Sequence, residues 1–347
     1  MLKRLGLGAC RTYACVIAVA TLTLAPALAA TQLTGAGSSF VFPFFSKAFY
    51  QYSQAHPEVS VNYQSIGSGG GIQQFTQRTV DFGASDVPMN ADELKRLPAP
   101  AVQIPVALGG VAITYNLPQF IKGGLRLSRQ VLAGIYLGKI THWDDPELVK
   151  LNPSAQLPNT PIVVVHRADG SGTTYIFSDF LSHVSPEWKQ KVGTGKSVEW
   201  PAENAVGGKG NEGVAGQVRQ TPGAIGYVEL AYVHENKMTQ AQVQNSSGLF
   251  TFCTAGGVEA AAASKKELSS TDFSIVDSSS GRAWPITGYT WAFMYREPSD
   301  KARGRIVRDV LMWTAAAGQQ IAGALDYVAL PDSVQDFAKR ALGQVKV

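Results

Sequence analysis

The chain has 347 residues, 45% of them apolar and 16% charged, with a formal net charge of +4. That length suggests two domains with enough buried apolar surface to do without disulfides. No basic stripe with interleaved aromatics is present, which excludes the footprint of a nucleic-acid binder, and beyond the N-terminus no run of about 18 apolar residues suggests a membrane span.

In chain order, the first thirty residues read as a secretory signal peptide. Lys3, Arg4 and Arg11 form a positive start, an apolar run covers 14–24, and Ala27-Leu28-Ala29 puts small residues at the −3 and −1 positions. Cleavage is expected after Ala29 or Ala30. The run is too short to span a membrane as a helix, which takes roughly 20 residues. Leu7-Gly8-Ala9-Cys10 looks like a lipoprotein-processing box, but it precedes the apolar run, so the order is wrong. Removing the segment takes away three of the four net positive charges, leaving a near-neutral exported chain. Cys10 and Cys15 leave with it, so Cys253 remains without an intramolecular partner and reads as a partly buried small hydrophobe.

The rest of the chain alternates extended and helical patterns, which argues an α/β architecture. Strands are expected at 61–66, 102–108, 110–116, 162–166, 224–230 and 290–296. Helices are expected at 41–55, 70–79, 128–137, 173–184, 212–220, 299–317 and 331–344. In the 299–317 segment, Ile306, Val310, Trp313 and Ala317 recur at helical spacing and predict one apolar face. The pair Gly109-Gly110 and the stretch WPIT at 284–287 are expected crossing points between lobes.

Three short stretches share a composition: TGAGSSF at 34–40, SIGSGGG at 65–71 and DGSGTT at 169–174. Each is expected to open a helix. The first backbone N–H groups of a helix lack intrahelical partners, and the macrodipole places about half a positive charge there. Glycine permits close approach to the backbone, and Ser or Thr adds a donor or an ordinary N-cap. Three such ends brought together would make a cage of N–H and O–H donors suited to a small oxyanion.

Rival motifs are weaker. A P-loop requires a lysine that ADGSGTTY lacks. A nucleophile elbow requires G-x-S-x-G, whereas Ser171 is flanked directly by glycines, and His166 is poorly spaced to act as its base. Residues 208–213, GKGNEG, satisfy G-x-G-x-x-G literally. No clear strand is read before them and no acidic partner lies at the ribose position, so a glycine-rich loop capping a helix is expected. His56, His142, His183 and His234 show no metal-ligand spacing.

Taken in order, LTGAGSSF, NYQSIGSGGG, TVDFGASDVP, IYLGKITHWDDP, HRADGSGTTY, GGKGNEG, PGAIGYVELAY and LPDSV closely resemble the PstS family, the periplasmic phosphate-binding proteins of the high-affinity phosphate ABC importer. The resemblance covers essentially the whole chain after the signal peptide. It implies an α/β, two-lobed periplasmic-binding-protein type II (flytrap) fold, with mixed sheets flanked by helices and hinge strands between the lobes. One lobe is implied at 31–108 plus 285–347 and the other at 109–284. It also implies a monomer in the periplasm that takes inorganic phosphate without catalysis, metal or cofactor. The permease and ATPase subunits of the transporter are its implied partners, with another oxyanion or a Ser171 phosphatase as the alternatives.

Carried over position by position, the implied phosphate contacts are Ser39, Phe40 (through its N–H), Ser68, Asp86, Arg167, Ser171, Gly172 and Thr173. Family members often carry Thr where this chain has Ser39, which keeps the hydroxyl. An ionised Asp86 is an acceptor only, so it can take a hydrogen bond from protonated phosphate and meets sulfate as an unpaired negative charge. Arg167 is expected to offer a bidentate fork to the anion and to be open to pairing with Asp86 or Asp169.

Overall fold

Residues 30–117 and 124–347 are described in a computed structural model; the signal-peptide reading lies outside them. β1 (Thr31–Gly37), β2 (Val59–Ser65) and β3 (Phe82–Ser85) run parallel with β1 in the middle. β4 (Ala101–Tyr115) follows as one 15-residue strand. β5 (Arg126–Leu127) belongs to a small sheet described below. β6 (Val163–Arg167), β7 (Ala205–Gly208) and β8 (Ala224–Glu229) are again parallel, with β6 central. β9 (Thr239–Gln240) pairs with the end of β4, while β10 (Gln242–Gln244) and β11 (Phe250–Thr251) join β5 in a three-stranded sheet. β12 (Thr287–Tyr295) closes the main sheet, whose order is β2-β1-β3-β12-β4-β8-β6-β7.

β4 carries the architecture. Its residues 101–110 pair antiparallel with β12, and from Val111 onward it pairs with β8. From Ile104 to Tyr115 it is buried throughout, as expected of a strand covered on both faces. The two strands expected on either side of Gly109-Gly110 are therefore a single strand, and the glycines do not break it. They admit close packing at the change of partner: a Cβ on Gly110 would lie 2.3 Å from Cys253 Sγ and 2.9 Å from Val258 Cγ2. The WPIT stretch packs against the same point. Trp284 Nε1–H donates to the Val111 carbonyl at 3.0 Å, and the Val111 N–H donates to the Ile286 carbonyl at 2.8 Å.

The expected helices form within a turn of their bounds. Phe45, Phe49 and Tyr52 line the buried face of Phe42–Ala55, as do Ile72 and Phe75 in Ser68–Thr76 and Ile176 and Phe180 in Gly172–Val184. One face is corrected. Lys301–Ala315 buries Gly304, Val307, Val310, Leu311 and Thr314, while Ile306 and Trp313 are half-buried and Ala317 is exposed. The apolar stripe is rotated because two small residues, Gly304 and Thr314, take inward positions that a count of large apolar side chains passes over. β1, β3 and β7 are also additions to the expected strands. β3 and β7 are only four residues long, and the end of β1 is likewise made of glycine and alanine, so they read as turns. β7 in particular supplies the strand that the sequence reading found missing before GKGNEG, where it pairs in parallel with β6.

The parallel strands all deliver their carboxyl ends to one place, the region where open α/β sheets bind ligands. β1, β2, β6 and β7 are followed there by the helices Phe42–Ala55, Ser68–Thr76, Gly172–Val184 and Gly210–Gln220, and β3 is followed by Asp86.

Gly110→Ala is expected to destabilise the protein by about 1–3 kcal/mol through overpacking, read as a lower urea midpoint. Replacing Cys253 with Ala in the same background should recover part of that loss.

Candidate functional site

One wall of the cleft is built from Ser38, Ser39 and Phe40 after β1, Ser68 after β2, and Asp86 after β3. The other is built from Arg167 to Thr173 after β6, and from Gly210 and Asn211 after β7. All eight residues implied by the family resemblance lie in these two walls, and all eight are buried.

The turn after β1 is oriented by three tyrosines from distant parts of the chain. The hydroxyl of Tyr63 donates to the Ser38 carbonyl at 2.9 Å, that of Tyr232 to the Ser39 carbonyl at 2.7 Å, and that of Tyr327 to the Phe40 carbonyl. With its carbonyl oxygens occupied in this way, the turn keeps its negative ends on phenol groups. The next helix, Phe42–Ala55, has no side-chain cap, and neither do Ser68–Thr76 or Gly210–Gln220. Gly67, just before Ser68, has φ +83°, a conformation that favours glycine.

The hydroxyls are held from behind by N–H groups. Ser39 Oγ accepts from both the backbone N–H and the Nδ2 of Asn211, each at 3.0 Å. Ser68 Oγ accepts from the N–H of Gly172 at 3.0 Å and of Asp86 at 3.3 Å. Thr173 Oγ1 accepts from Asn211 Nδ2 at 3.1 Å and from Arg167 Nη1 at 3.3 Å, and donates to Asp86 Oδ2 at 3.4 Å. A hydroxyl has one proton and two lone pairs, so each of these can act only as a donor, as Thr173 already does toward Asp86.

Asp86 is the buried charge on which these groups converge. Its carboxylate accepts from Ser38 Oγ, and from Thr290 Oγ1 of β12 at 2.8 Å. Burial raises its pKa to about 6, against the pull of the Ser38 and Thr290 hydroxyls and the Arg167 charge. Of the two partners left open for Arg167, the structure selects Asp169. Arg167 Nε and Nη2 reach its two oxygens at 2.9 and 2.6 Å, and Arg167 influences Asp86 only through space. Asp169 also accepts from the Gly210 N–H at 3.0 Å, and Arg167 holds its carboxyl below the usual range although burial opposes this.

Phe40 and Ser171 are likewise engaged with other partners. The Phe40 N–H donates to Ser38 Oγ at 3.0 Å. Ser171 caps its own helix, its Oγ accepting the Thr174 N–H at 3.0 Å, and its N–H donates to the Lys196 carbonyl at 2.7 Å. Ser38, Thr290 and Asn211 were missed by the sequence reading. Ser38 lies inside TGAGSSF and Asn211 inside GKGNEG, so both were visible as types. Thr290 sits in an apolar strand and gave no signal.

The walls also touch directly. The Gly69 N–H donates to the Gly170 carbonyl at 2.8 Å, and Lys196 forms an ion pair with Glu93, both side chains largely buried.

The chain can be set beside known proteins at this point. A family model described as a PBP superfamily domain matches residues 24–309. The chain is 45% identical over 305 residues to a phosphate-binding protein PstS from Xylella fastidiosa, covering 87% of this chain and 82% of that one. It is 42% identical over 323 residues to the protein of that name from Haemophilus influenzae, covering 92% and 95%. For the one from Methanocaldococcus jannaschii the figures are 35% over 331 residues, covering 89% and 85%. Among solved structures, the fold matches a high-affinity periplasmic phosphate-binding protein bound with phosphate, at a TM-score of 0.72 and 21% identity over 89% of this chain and 93% of that one. A phosphate-binding protein from Stenotrophomonas maltophilia gives a TM-score of 0.70 at 19% identity, with the same coverage.

The raised pKa of Asp86 makes a prediction for stability. Below the unfolded value of 3.8 both states are protonated. Between that value and about 6 the unfolded chain gives up its proton first, so this group lowers stability as pH rises through the window and by a constant amount above it. In anion-free protein, urea titrations should show Asp86→Asn gaining on the wild type by on the order of 2–3 kcal/mol at pH 7.5, and by almost nothing at pH 4.

Proposed function

The chain belongs to the PstS family of phosphate-binding proteins in the PBP superfamily, and from that membership and the chemistry of the cleft we propose that it captures inorganic phosphate between two lobes and hands it to an ABC importer. The lobes we assign are 31–108 plus 285–347 and 109–284. In support, β4 exchanges β12 for β8 at Gly110/Val111, and β12 begins at Thr287. The protein works as a monomer in the periplasm after its signal peptide is removed, and its partners are the membrane permease and ATPase subunits. Among the described residues no helix is long and apolar enough to cross a membrane.

Phosphate is held by Ser39, Phe40, Ser68, Asp86, Arg167, Ser171, Gly172 and Thr173. On entering, it takes over donors that now bond across the cleft, including the Gly172 N–H on Ser68 and the Thr173 hydroxyl on Asp86. The Gly172 N–H exchanges a neutral hydroxyl for a charged oxygen, and the Thr173 hydroxyl exchanges one anionic acceptor for another. Arg167, clamped by Asp169, presents Nη1 on the side of Thr173. The observation that carries the reading is the placement of Asp86, a buried carboxylate among hydroxyl and N–H donors. Near neutral pH phosphate retains at least one proton and can give it to this acceptor. Sulfate has none and would leave like charges facing one another at a cost of several kcal/mol.

The phosphatase alternative requires a base beside Ser171. The His166 ring stacks on Trp200 at 5.1 Å between centroids, and its Nδ1 lies 3.0 Å from the Arg167 carbonyl. Ser171 Oγ is engaged by the Thr174 N–H. His166 and Ser171 are thus each engaged with other partners.

Titration calorimetry on anion-stripped protein with phosphate, arsenate and sulfate is the direct test. Phosphate and arsenate should bind, with sulfate weaker by a factor of about 100 or more; sulfate as tight as phosphate would overturn the role given to Asp86. Asp86→Asn supplies an amide donor in place of the carboxylate and should narrow the phosphate-to-sulfate ratio at least tenfold. Arg167→Ala removes a charged donor and leaves Asp169 without its partner, so phosphate affinity should fall by roughly 2–4 kcal/mol.

A further inference from the structure

We propose that Asn211 is a positioning residue for anion capture, fixing the hydroxyls of Ser39 and Thr173, one on each wall, as donors toward the anion. The proposal rests on the phosphate reading above and assigns a role to a residue outside the set of expected contacts. Asn211 is fully buried at the start of the helix Gly210–Gln220. Its Nδ2 donates to Ser39 Oγ at 3.0 Å and to Thr173 Oγ1 at 3.1 Å, so one amide group spans the cleft. Its backbone N–H, one of those that the helix leaves free, donates to Ser39 Oγ as well.

The orientation of the amide is not a matter of choice. Asn211 Oδ1 accepts the backbone N–H of Glu229 at 2.9 Å, and a backbone N–H can only donate, so the oxygen and nitrogen cannot be exchanged. Glu229 ends β8 and pairs with Val111, where β4 changes partner. The amide is thus anchored on the end of β8, beside the point where β4 joins the two halves of the sheet.

A hydroxyl left to itself rotates and can present a lone pair to an anion. Two N–H groups on Ser39 Oγ occupy both of its lone pairs, and Asn211 with Arg167 does the same for Thr173. Each oxygen can then act only through its proton, which on Thr173 is held by Asp86 until an anion takes it over. Asn211 therefore sets the polarity of two donors without touching the anion, and pays no rotational cost when the anion arrives because the hydroxyls are already ordered.

The test is a double-mutant cycle on the full mature protein, read by phosphate calorimetry. Asn211→Ala should weaken phosphate binding about tenfold in the wild-type background and less than twofold when Ser39→Ala and Thr173→Val are already present. Equal losses in both backgrounds would mean that Asn211 acts through packing, and the proposal would be wrong. Asn211→Asp, nearly the same shape and still able to accept from Glu229, guards against a folding failure. At pH 8 its carboxylate draws the two hydroxyl protons to itself, and the cycle should again show at least tenfold coupling; additive losses overturn the proposal here too. Thermal unfolding of each variant identifies any that is not folded. If the wild type binds no phosphate, the functional reading fails and takes this proposal with it, whereas binding with an additive cycle removes this proposal alone.

Discussion

Ser39 and Ser68 each have both lone pairs occupied by N–H groups, and backbone and amide N–H groups, unlike hydroxyls, cannot exchange donor for acceptor. The character of the cleft follows from that constraint. The Ser38, Ser39 and Phe40 carbonyls are occupied by tyrosine hydroxyls, and several helix starts lack side-chain caps. The surface that results is rich in donors, with the carboxylates of Asp86 and Asp169 set among them.

Asp86 gains its value from being out of place. Burial raises its pKa to about 6, although the Ser38 and Thr290 hydroxyls and the Arg167 charge favour the ionised form. The Arg167–Asp169 pair works in the opposite sense. Its fork is clamped from one side, which orders a long side chain in advance and tempers its charge. The cleft thus carries two carboxylates with opposite perturbations, one set by desolvation and one by a partner.

The sequence carried much of this, because parallel strands followed by glycine-and-hydroxyl turns leave a local record. Phe45, Phe49, Ile72, Phe75, Ile176 and Phe180 are spaced as their buried faces require, and the three turns contain most of the residues in the walls. What could not be read depends on distance along the chain. Tyr63, Tyr232 and Tyr327 meet on consecutive carbonyls, and Thr290 reaches Asp86 from 204 residues away. Nothing local marks these side chains. The segments β1, β3 and β7 were passed over because small residues in a strand resemble a turn, and with β7 went the context that would have given Asn211 a strand on one side and a helix on the other. The division of 102–116 into two strands at Gly109 was an error of the same kind, since glycine there serves close packing.

The position of β12 in the main sheet has a further consequence for the order in which the molecule can be assembled. β3 and β4 are both early in the chain, yet they are held together through β12, which pairs Ser85 with Trp291 and Ala101 with Tyr295. Until residues 287–295 arrive, the β1–β3 group and the first part of β4 have facing edges with nothing between them. Such long-range closure is slow, because loop entropy must be overcome before the contacts reward it.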